Sequence, residues 1–485
     1  KLTSVADVGG GVGLASDFVN RFIGQNDVAI TFEPNPYGEV DGPHATILPM
    51  TLDDAWLDEN DRRFDMVFAS EVIEHVNDPV LFLKCLGRAL IDGQSNLVLT
   101  TPDASLINPG IRPCDIWTNL FPGEHKIIYT QAGMGQVLHR AGFSHIAFVP
   151  GFGRLMVHAS QNKKPSNNPV AISTTECLDL YVKYLEEIIE ENPGTRDSPY
   201  VSGMAYRLFK ELVNMGHYER ASAHLAGTPA LSSLLSQQQV GIDAALMAKA
   251  LSLSTFSSYV NACPSFLGPF VFYLAMLCRQ REGMTIQSQK LFEQALNLLQ
   301  HEYYLAPIFF IESASLIPVC LRHLALHSAE LDGGQACFHY WQRSLRFFLP
   351  DNADELESLS DRDEFIYLVM LLVQLNSKGL YTQARPLVQV MHDGRYAALS
   401  QAWNSQDFNV YKIPVEHRRL FADFHACMIH YELGQKPVSM ECLKFHVKIS
   451  AEHILAFPDE INMNYVAASV ARGIRRVMSI SDPSK

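Results

Sequence analysis

Positive charge is scarce in this chain. Of its 485 residues, 38 are Lys or Arg and 52 are Asp or Glu, which gives a formal net charge of −14. Binding along a nucleic-acid backbone needs a positively charged surface, so the composition argues against nucleic acid as a partner. No apolar run is long enough to cross a bilayer and no secretory signal peptide is found, so we expect no membrane span.

Cysteine pairs at metal-binding spacing are also absent, and no metal site is predicted. The nine cysteines lie at positions 85, 114, 177, 263, 278, 320, 337, 427 and 442. Most fall within apolar helical patterns, where a free cysteine behaves as a small hydrophobe. This usage is typical of a reducing compartment, so we expect a cytoplasmic protein. Because Lys1 comes only a few residues before an apolar strand, we also expect a natural N-terminal segment before it.

The length and the apolar content indicate a globular protein of two or more domains. Residues 1–160 alternate short apolar strands with helical patterns, which predicts a doubly wound, mostly parallel sheet. The expected strands are 4–8, 28–32, 45–48, 64–69, 97–100, 145–149 and 155–158. Only the short connection at Pro150–Gly153 separates the last two strands, and so short a connection permits an antiparallel pair but no helical crossover.

The remainder of the chain reads as a linker followed by helices. Residues 161–173 are polar and rich in Pro and Asn, which is typical of a linker, and the pattern is helical from 174 to 485. A phrase with Gly, an aromatic residue two positions on and Ala three beyond it recurs at Gly216–Ala221 and Gly379–Ala384. It resembles the tetratricopeptide repeat. An all-α domain, either a helical repeat of solenoid type or a bundle with chance matches, is therefore expected.

The first functional motif is the glycine-rich segment Asp7–Gly13, which follows an apolar strand and precedes a helical pattern. The dinucleotide fingerprint G-x-G-x-x-G/A does not fit it in either register, and no phosphate-loop lysine is present. The pattern D-x-G-x-G-x-G resembles motif I of class I S-adenosylmethionine (SAM) methyltransferases. The resemblance implies that the backbone of Gly9, Gly11 and Gly13 passes under SAM, and that Asp7 orders the loop or meets the ammonium group. Plain strand–helix packing is the alternative.

Two further corners of the expected sheet would complete a SAM pocket. Glu33 follows the second strand, and an acidic residue there can accept both ribose hydroxyls; the adjacent Pro34 belongs to the same corner. In the family, the corner after the third strand holds adenine through a backbone amide and a nearby carboxylate. That role would fall to Thr51, Leu52 and Asp53, although Asp53 is equally suited to cap the next helix.

The most specific segment is the phrase Glu71–Pro79 (EVIEHVNDP), with a helix predicted over 79–90 and Asn77 or Asp78 as its cap. It closely resembles the small-molecule branch of the class I methyltransferases (methyltransferase type 11/23-like), over about residues 1–160. The resemblance implies a Rossmann-like domain in which Ser70 and Glu71 line the methionine part of SAM, with His75 close behind. Helix capping and packing are the alternative for Glu74 and His75.

The segment between the fifth strand and the next helix, 101–130, is long, and long loops at this edge of a parallel sheet tend to cover ligands. Its end resembles the family's approach to strand six, which would place His125 near the acceptor. A hydroxyl acceptor must lose its proton, and His is the most frequent general base. His125 is the first candidate for this catalytic role and His75 the second. A carbon or amine acceptor needs no base, and His125 can equally be a loop residue without a chemical role.

Together these features predict a SAM-dependent methyltransferase that acts on a small molecule or glycan, with a helical domain for partner binding or oligomerisation. Two alternatives stay open: a protein methyltransferase, and an interaction scaffold with a subsidiary methyltransferase domain. A nicotinamide-dependent oxidoreductase is disfavoured by the glycine spacing.

Overall fold

A computed structural model describes most of the first 344 residues. The described residues are 4–23, 28–35, 46–91, 95–107, 120–121, 124–149, 154–162, 174–192, 198–236, 241–283, 285–331, 336, 339–340 and 343–344. They divide into two compact units, one reaching Leu212 and including Pro307–Phe309, the other formed by Val213–Ala306 and the residues from Phe310 onward. The expected repeat phrase at Gly379–Ala384 lies outside the described residues.

The first unit contains a seven-stranded sheet of order β3-β2-β1-β4-β5-β7-β6. Its strands are β1 Val5–Val8, β2 Ala29–Phe32, β3 Thr46–Leu48, β4 Met66–Ser70, β5 Asn96–Pro102, β6 His145–Val149 and β7 Arg154–Ser160. All neighbouring pairs from β3 to β5 are parallel, whereas β7 pairs antiparallel with both β5 and β6. The predicted fold of this part, a mostly parallel sheet with an antiparallel last strand, is confirmed.

Four helices accompany the strands of this sheet. They are α1 Leu14–Phe22, α2 Asp54–Glu59, α3 Pro79–Ala89 and α4 Gln131–Arg140. The expected start of α3 is confirmed: Asp78 is its N-cap, its side chain accepts a hydrogen bond from Leu81 N, and Pro79 occupies the first turn. A proline suits that position because the first N–H groups of a helix have no partner within the helix.

Successive residues of β1 point to opposite faces of the sheet, and both faces are covered. Ala6 and Val8 belong to the main core with α2, α3 and α4. On the opposite face, Val5 and Asp7 line a cavity of about 440 Å³ together with residues of α1 and of two later helices. Those helices are α5 Thr174–Glu191 and α6 Pro199–Asn214.

The compact unit therefore continues past residue 160, where the sheet ends and where the methyltransferase domain was expected to end. The hydroxyl of Tyr184 in α5 donates to Asp17 Oδ2 in α1 over 2.9 Å. The guanidinium of Arg21 in α1 forms a bidentate ion pair with the Glu191 carboxylate, and both N–O distances are 2.8 Å. These contacts attach α5 to the sheet domain.

The described part of the second unit is helical, as expected. Its helices are α7 Tyr218–Gly227, α8 Pro229–Ser232, α9 Ala244–Ser252, α10 Phe256–Ala262, α11 Leu267–Glu282, α12 Ile286–Leu305 and α13 Ile311–Leu331. Gly216, in the first repeat phrase, has a φ of +77° and forms the turn between α6 and α7. The carboxyl group of Glu302 is fully buried and accepts hydrogen bonds from Tyr259 Oη over 2.6 Å and from Gly268 N over 2.8 Å.

None of the described helices is, by itself, both long and apolar enough to cross a bilayer. One bent pair, Phe256–Ala262 with Leu267–Glu282, meets the length and composition criteria only when its two helices are taken together.

Candidate functional site

The glycine-rich loop leaves β1 and enters α1 in a left-handed backbone conformation. Gly9, Gly11 and Gly13 have φ values of +72°, +57° and +75°, which a residue with a Cβ adopts only at a cost. A Cβ on Gly9 would lie 2.6 Å from Val72 Cγ2, so the loop packs closely on the segment after β4. A Cβ on Gly11, by contrast, would meet no atom within 4 Å. One part of the loop is therefore packed, and at Gly11 it borders open space.

Glu33 is hydrogen-bonded to this loop and lies just after the neighbouring strand β2. It follows the carboxyl end of β2, where its Oε2 accepts a hydrogen bond from Gly11 N over 3.1 Å and its Oε1 accepts one from Asn35 N over 3.0 Å. Glu33 is half-buried and Pro34 is exposed. An ionised carboxylate offers about four acceptor positions, so capacity remains for two hydroxyl donors beside the open space at Gly11.

Asp7 lies beneath the loop and is only 3 % exposed. A Cβ on Gly10 would lie 2.1 Å from Asp7 Oδ2, which shows how closely the carboxyl group packs against the loop backbone. Burial raises the pKa of Asp7 to about 6, and the negative charge of Glu33 adds to this, while a hydrogen bond from Thr31 acts against it. The Thr31 hydroxyl lies 3.4 Å from Asp7 Oδ2 and 2.7 Å from Ser16 Oγ. Asp7 thus packs against the loop from below, and its role of ordering the loop or meeting the ammonium group of SAM stays a prediction.

The segment after β4 reaches the same edge of the sheet. The hydroxyls of Ser70 and Thr100 are 2.6 Å apart, and Thr100 Oγ1 also donates to Glu71 Oε1 over 3.1 Å. Arg154 of β7 forms an ion pair with the other oxygen of Glu71. Glu71 has a φ of +56°, a left-handed conformation that costs a non-glycine residue about 1–2 kcal/mol. Such strain persists where the surroundings enforce it, often at functional sites.

Glu74, His75 and His125 come together behind this segment. Glu74 is fully buried, and its Oε2 accepts a hydrogen bond from Thr101 Oγ1 over 3.0 Å. Its backbone oxygen accepts from Lys126 N over 2.7 Å, which holds the end of the long loop in place. The rings of His75 and His125 are 4.9 Å apart in an edge-to-face arrangement. Packing accounts for the position of Glu74, and it also makes the two histidines neighbours.

The corner after β3 is arranged around the start of α2. Asp53 is the N-cap of that helix, and its Oδ1 accepts a hydrogen bond from Trp56 N over 2.9 Å. Thr51 Oγ1 lies 3.3 Å from Asp53 Oδ2. Leu52 is 4 % exposed, so its side chain belongs to the core and only its backbone is suited to contact a ligand. The capping alternative for Asp53 is confirmed, and an adenine-binding role for this corner stays a prediction.

Several residues of the site were not found from the sequence. Arg154 belongs to the last strand, and it meets Glu71 only because β7 inserts beside β5. Thr31 and Thr101 are single hydroxyls within strands. Thr31 gains a role because it is in register with Asp7, and Thr101 because the turn after β4 brings Glu74 within hydrogen-bond distance of it. Residues 108–119 of the expected covering loop lie outside the described residues.

Comparison with known proteins agrees with this geometry. Residues 2–147 match the Methyltransf_23 family model, described as a methyltransferase domain. No curated protein shows significant similarity to the chain.

Solved structures with a similar fold include three methyltransferases. A putative O-methyltransferase from Nostoc punctiforme is 16 % identical, with a TM-score of 0.27. The match covers 33 % of this chain and 51 % of the other chain. A possible histamine N-methyltransferase from Thermotoga maritima is 15 % identical, with a TM-score of 0.26 and coverages of 33 % and 83 %. Human N-acetylserotonin methyltransferase, in complex with SAM, is 14 % identical, with a TM-score of 0.26 and coverages of 33 % and 48 %. The chain thus spans about half the length of the first of these.

Residues 2–147 thus match a methyltransferase domain, and this match supports SAM as the cofactor. The residues at the sheet edge fit this cofactor. The space beside Gly11 is open, and Glu33 retains acceptor capacity next to it.

Proposed function

We propose that this protein transfers a methyl group from SAM to a small-molecule or glycan acceptor. One observation carries most of the proposal: Glu33 accepts a hydrogen bond from Gly11 N, and a Cβ on Gly11 would meet no atom within 4 Å. A carboxylate with acceptor positions to spare and an uncovered stretch of main chain are thus adjacent at the carboxyl edge of a parallel sheet, where ligands of such folds bind.

Each corner of the site has a proposed role toward the cofactor. Glu33 accepts the ribose hydroxyls, with Pro34 shaping the same corner, and Asp7 supports the loop from beneath. The backbone of the glycine loop lies under the cofactor, and the segment after β4 lines its methionine part. The proposed cofactor-binding residues are Asp7, Gly9, Gly11, Gly13, Glu33, Pro34, Thr51, Leu52, Asp53, Ser70 and Glu71.

Activation of the acceptor is assigned to the histidine pair. The cofactor supplies an activated methyl group that is displaced in line, so the protein mainly has to orient the acceptor and exclude water. A hydroxyl acceptor must also lose a proton, and His125 is the first candidate to accept it, with His75 second. His75 Nδ1 lies 3.1 Å from the carbonyl oxygen of Glu124. Because a carbonyl only accepts, Nδ1 carries the proton and Nε2 keeps its lone pair.

Two measurements test the proposal. In isothermal titration the full chain is expected to bind SAM and not NAD(H); binding of NAD(H) alone would overturn it. Incubation with labelled SAM and fractionated cell extract is expected to label a small-molecule or glycan fraction. Label found only on protein would instead support the alternative acceptor, a protein.

The helical unit is proposed to bind a partner or a second copy of the chain, through a tetratricopeptide-like arrangement. Large apolar side chains on its surface support this role: Tyr304 is 77 % exposed and Ile311 is 45 % exposed, on either side of the turn between α12 and α13. Analytical ultracentrifugation of the full chain and of Tyr304→Glu tests self-association. A monomer in both cases, with no partner recovered by the full chain, would contradict this role.

A further inference from the structure

Three metal-ligating side chains converge beside the proposed acceptor site. Glu74 and His75 are neighbours in the turn after β4, whereas His125 comes fifty positions later, at the end of the long loop. One carboxylate oxygen of Glu74 and one ring nitrogen of each histidine all lie within 4.8 Å of one another. Two imidazoles and a carboxylate form a donor set that binds Zn²⁺ and related divalent transition metals.

Only one of the two oxygens of the buried Glu74 carboxylate has a hydrogen-bond partner among the described residues. Thr101 Oγ1 donates to Oε2 over 3.0 Å, but Oε1 has no hydrogen-bond partner among the described residues, although it is shielded from water. Leaving a buried acceptor unsatisfied costs about 1–3 kcal/mol, and more for a charged group. A bound cation would remove this deficit, because it supplies positive charge directly to the carboxylate.

The surroundings also prepare His75 as a ligand. Its Nδ1 lies 3.1 Å from Glu124 O and must carry the proton, since the carbonyl oxygen can only accept. The lone pair is therefore on Nε2. A metal-bound histidine usually donates its other N–H to a carbonyl or carboxylate, which fixes the ring orientation. Thr101 acts in the same way on Glu74, because its hydroxyl donates to Oε2 and fixes the orientation of the carboxylate.

We propose that Glu74, His75 and His125 form a binding site for a divalent cation of the zinc class. Tetrahedral zinc ligands at about 2.1 Å lie about 3.4 Å apart, so small side-chain rotations would bring the three atoms around the ion. Three protein ligands leave a fourth position for an oxygen.

The role of the ion rests on the proposed function. A hydroxyl acceptor bound in the fourth position would have a lowered pKa, because the ion stabilises the deprotonated oxygen. In this arrangement the two histidines act as ligands and the proton of the hydroxyl acceptor would pass to solvent water. The ionised oxygen would then bond to the methyl carbon of SAM while the carbon–sulfur bond breaks and S-adenosylhomocysteine leaves.

Cobalt titration of the full chain tests the site directly. The protein, freed of any affinity tag and treated with a chelator, is titrated with Co²⁺ while its visible absorption is recorded, and Zn²⁺ is then added as competitor. We expect one equivalent of Co²⁺ with nitrogen and oxygen ligands, without the intense near-ultraviolet band of a cobalt–thiolate bond, and displacement by Zn²⁺. His75→Ala and His125→Ala should each abolish this signal, and Thr101→Val should weaken binding about 10–100-fold.

His139→Ala is the matched control, because His139 is an exposed histidine of the same unit outside the cluster. It should bind Co²⁺ like the wild type, and circular dichroism should show every variant to be folded. Absence of the signal, a thiolate band, or an unchanged signal in both His75→Ala and His125→Ala would overturn the metal site. A parallel SAM titration separates the two proposals: SAM binding without cobalt binding rejects only the ion, and cobalt binding without SAM binding rejects only the proposed function.

Discussion

Gly11→Arg provides the sharpest test of the cofactor site. No atom lies within 4 Å of a Cβ at Gly11, so the start of the new side chain meets open space, and the structural penalty at the Cβ is its φ of +57°. This conformation costs about 1–2 kcal/mol, which corresponds to a fall in Tm of about 2–8 °C for a domain of this size. The arginine would fill the space proposed for the cofactor, so SAM affinity should fall at least about 100-fold, or about 2.8 kcal/mol. Isothermal titration measures the affinity and calorimetry the Tm.

Gly142→Arg is the matched control for this substitution. Gly142 lies just beyond α4, has a φ of +99°, and would also place a Cβ where no atom lies within 4 Å. The added charge is the same and the backbone penalty is of the same kind, so the Tm should fall by a similar amount while SAM affinity stays unchanged. The reasoning would be refuted if Gly11→Arg bound SAM as tightly as the wild type, or if both variants lost binding equally.

Three further predictions concern carboxyl groups. Glu33→Ala removes the acceptor of Gly11 N; SAM titration should show at least about tenfold weaker binding, since a charged hydrogen bond contributes about 1.5–3 kcal/mol. Because the pKa of Asp7 is raised to about 6 in the folded protein, the native state holds this proton more tightly than the unfolded state. Stability should therefore fall by about 2 kcal/mol as the pH rises from about 4 to 6, and by about 3 kcal/mol in total between about pH 3 and about pH 7. Urea unfolding of Asp7→Asn should lack this fall. Tyr259→Phe removes the 2.6 Å hydrogen bond to buried Glu302 and should destabilise the helical unit by about 1.5–3 kcal/mol, measured by hydrogen exchange in α12.

Controls for these predictions are available on exposed residues. Glu59→Ala removes an exposed carboxylate of α2 and should leave SAM binding intact; equal loss in Glu33→Ala and Glu59→Ala would contradict the role of Glu33. Parallel pH–stability curves for the wild type and Asp7→Asn would show that Asp7 is not the titrating group. Tyr304→Phe is the control for Tyr259→Phe, because Tyr304 is 77 % exposed. Identical hydrogen exchange of α12 in the two variants would contradict a stabilising role for the hydrogen bond between Tyr259 and Glu302.

Local patterns in the sequence predicted the elements that carry the site. The alternation of apolar strands with helices, the glycine-rich segment and the acidic Glu33 were recognisable because strand pleating, glycine backbone freedom and helix capping depend on a few neighbouring residues. The left-handed glycines and the Asp78 cap agree with this reading. The end of the compact unit was not recognisable in the same way, since it depends on Tyr184 reaching Asp17 across more than a hundred and sixty residues of chain.

The sequence by itself thus determined the fold class of the N-terminal part and which stretches could meet a cofactor, because these follow from short-range periodicity and residue type. Only the tertiary structure decided that Asp7 is buried with a raised pKa, and that the side chains of Glu74, His75 and His125 lie next to one another. Burial and proximity are set by how distant segments pack against each other. That packing depends on the whole sheet and its helices, so no spacing along the chain reveals it.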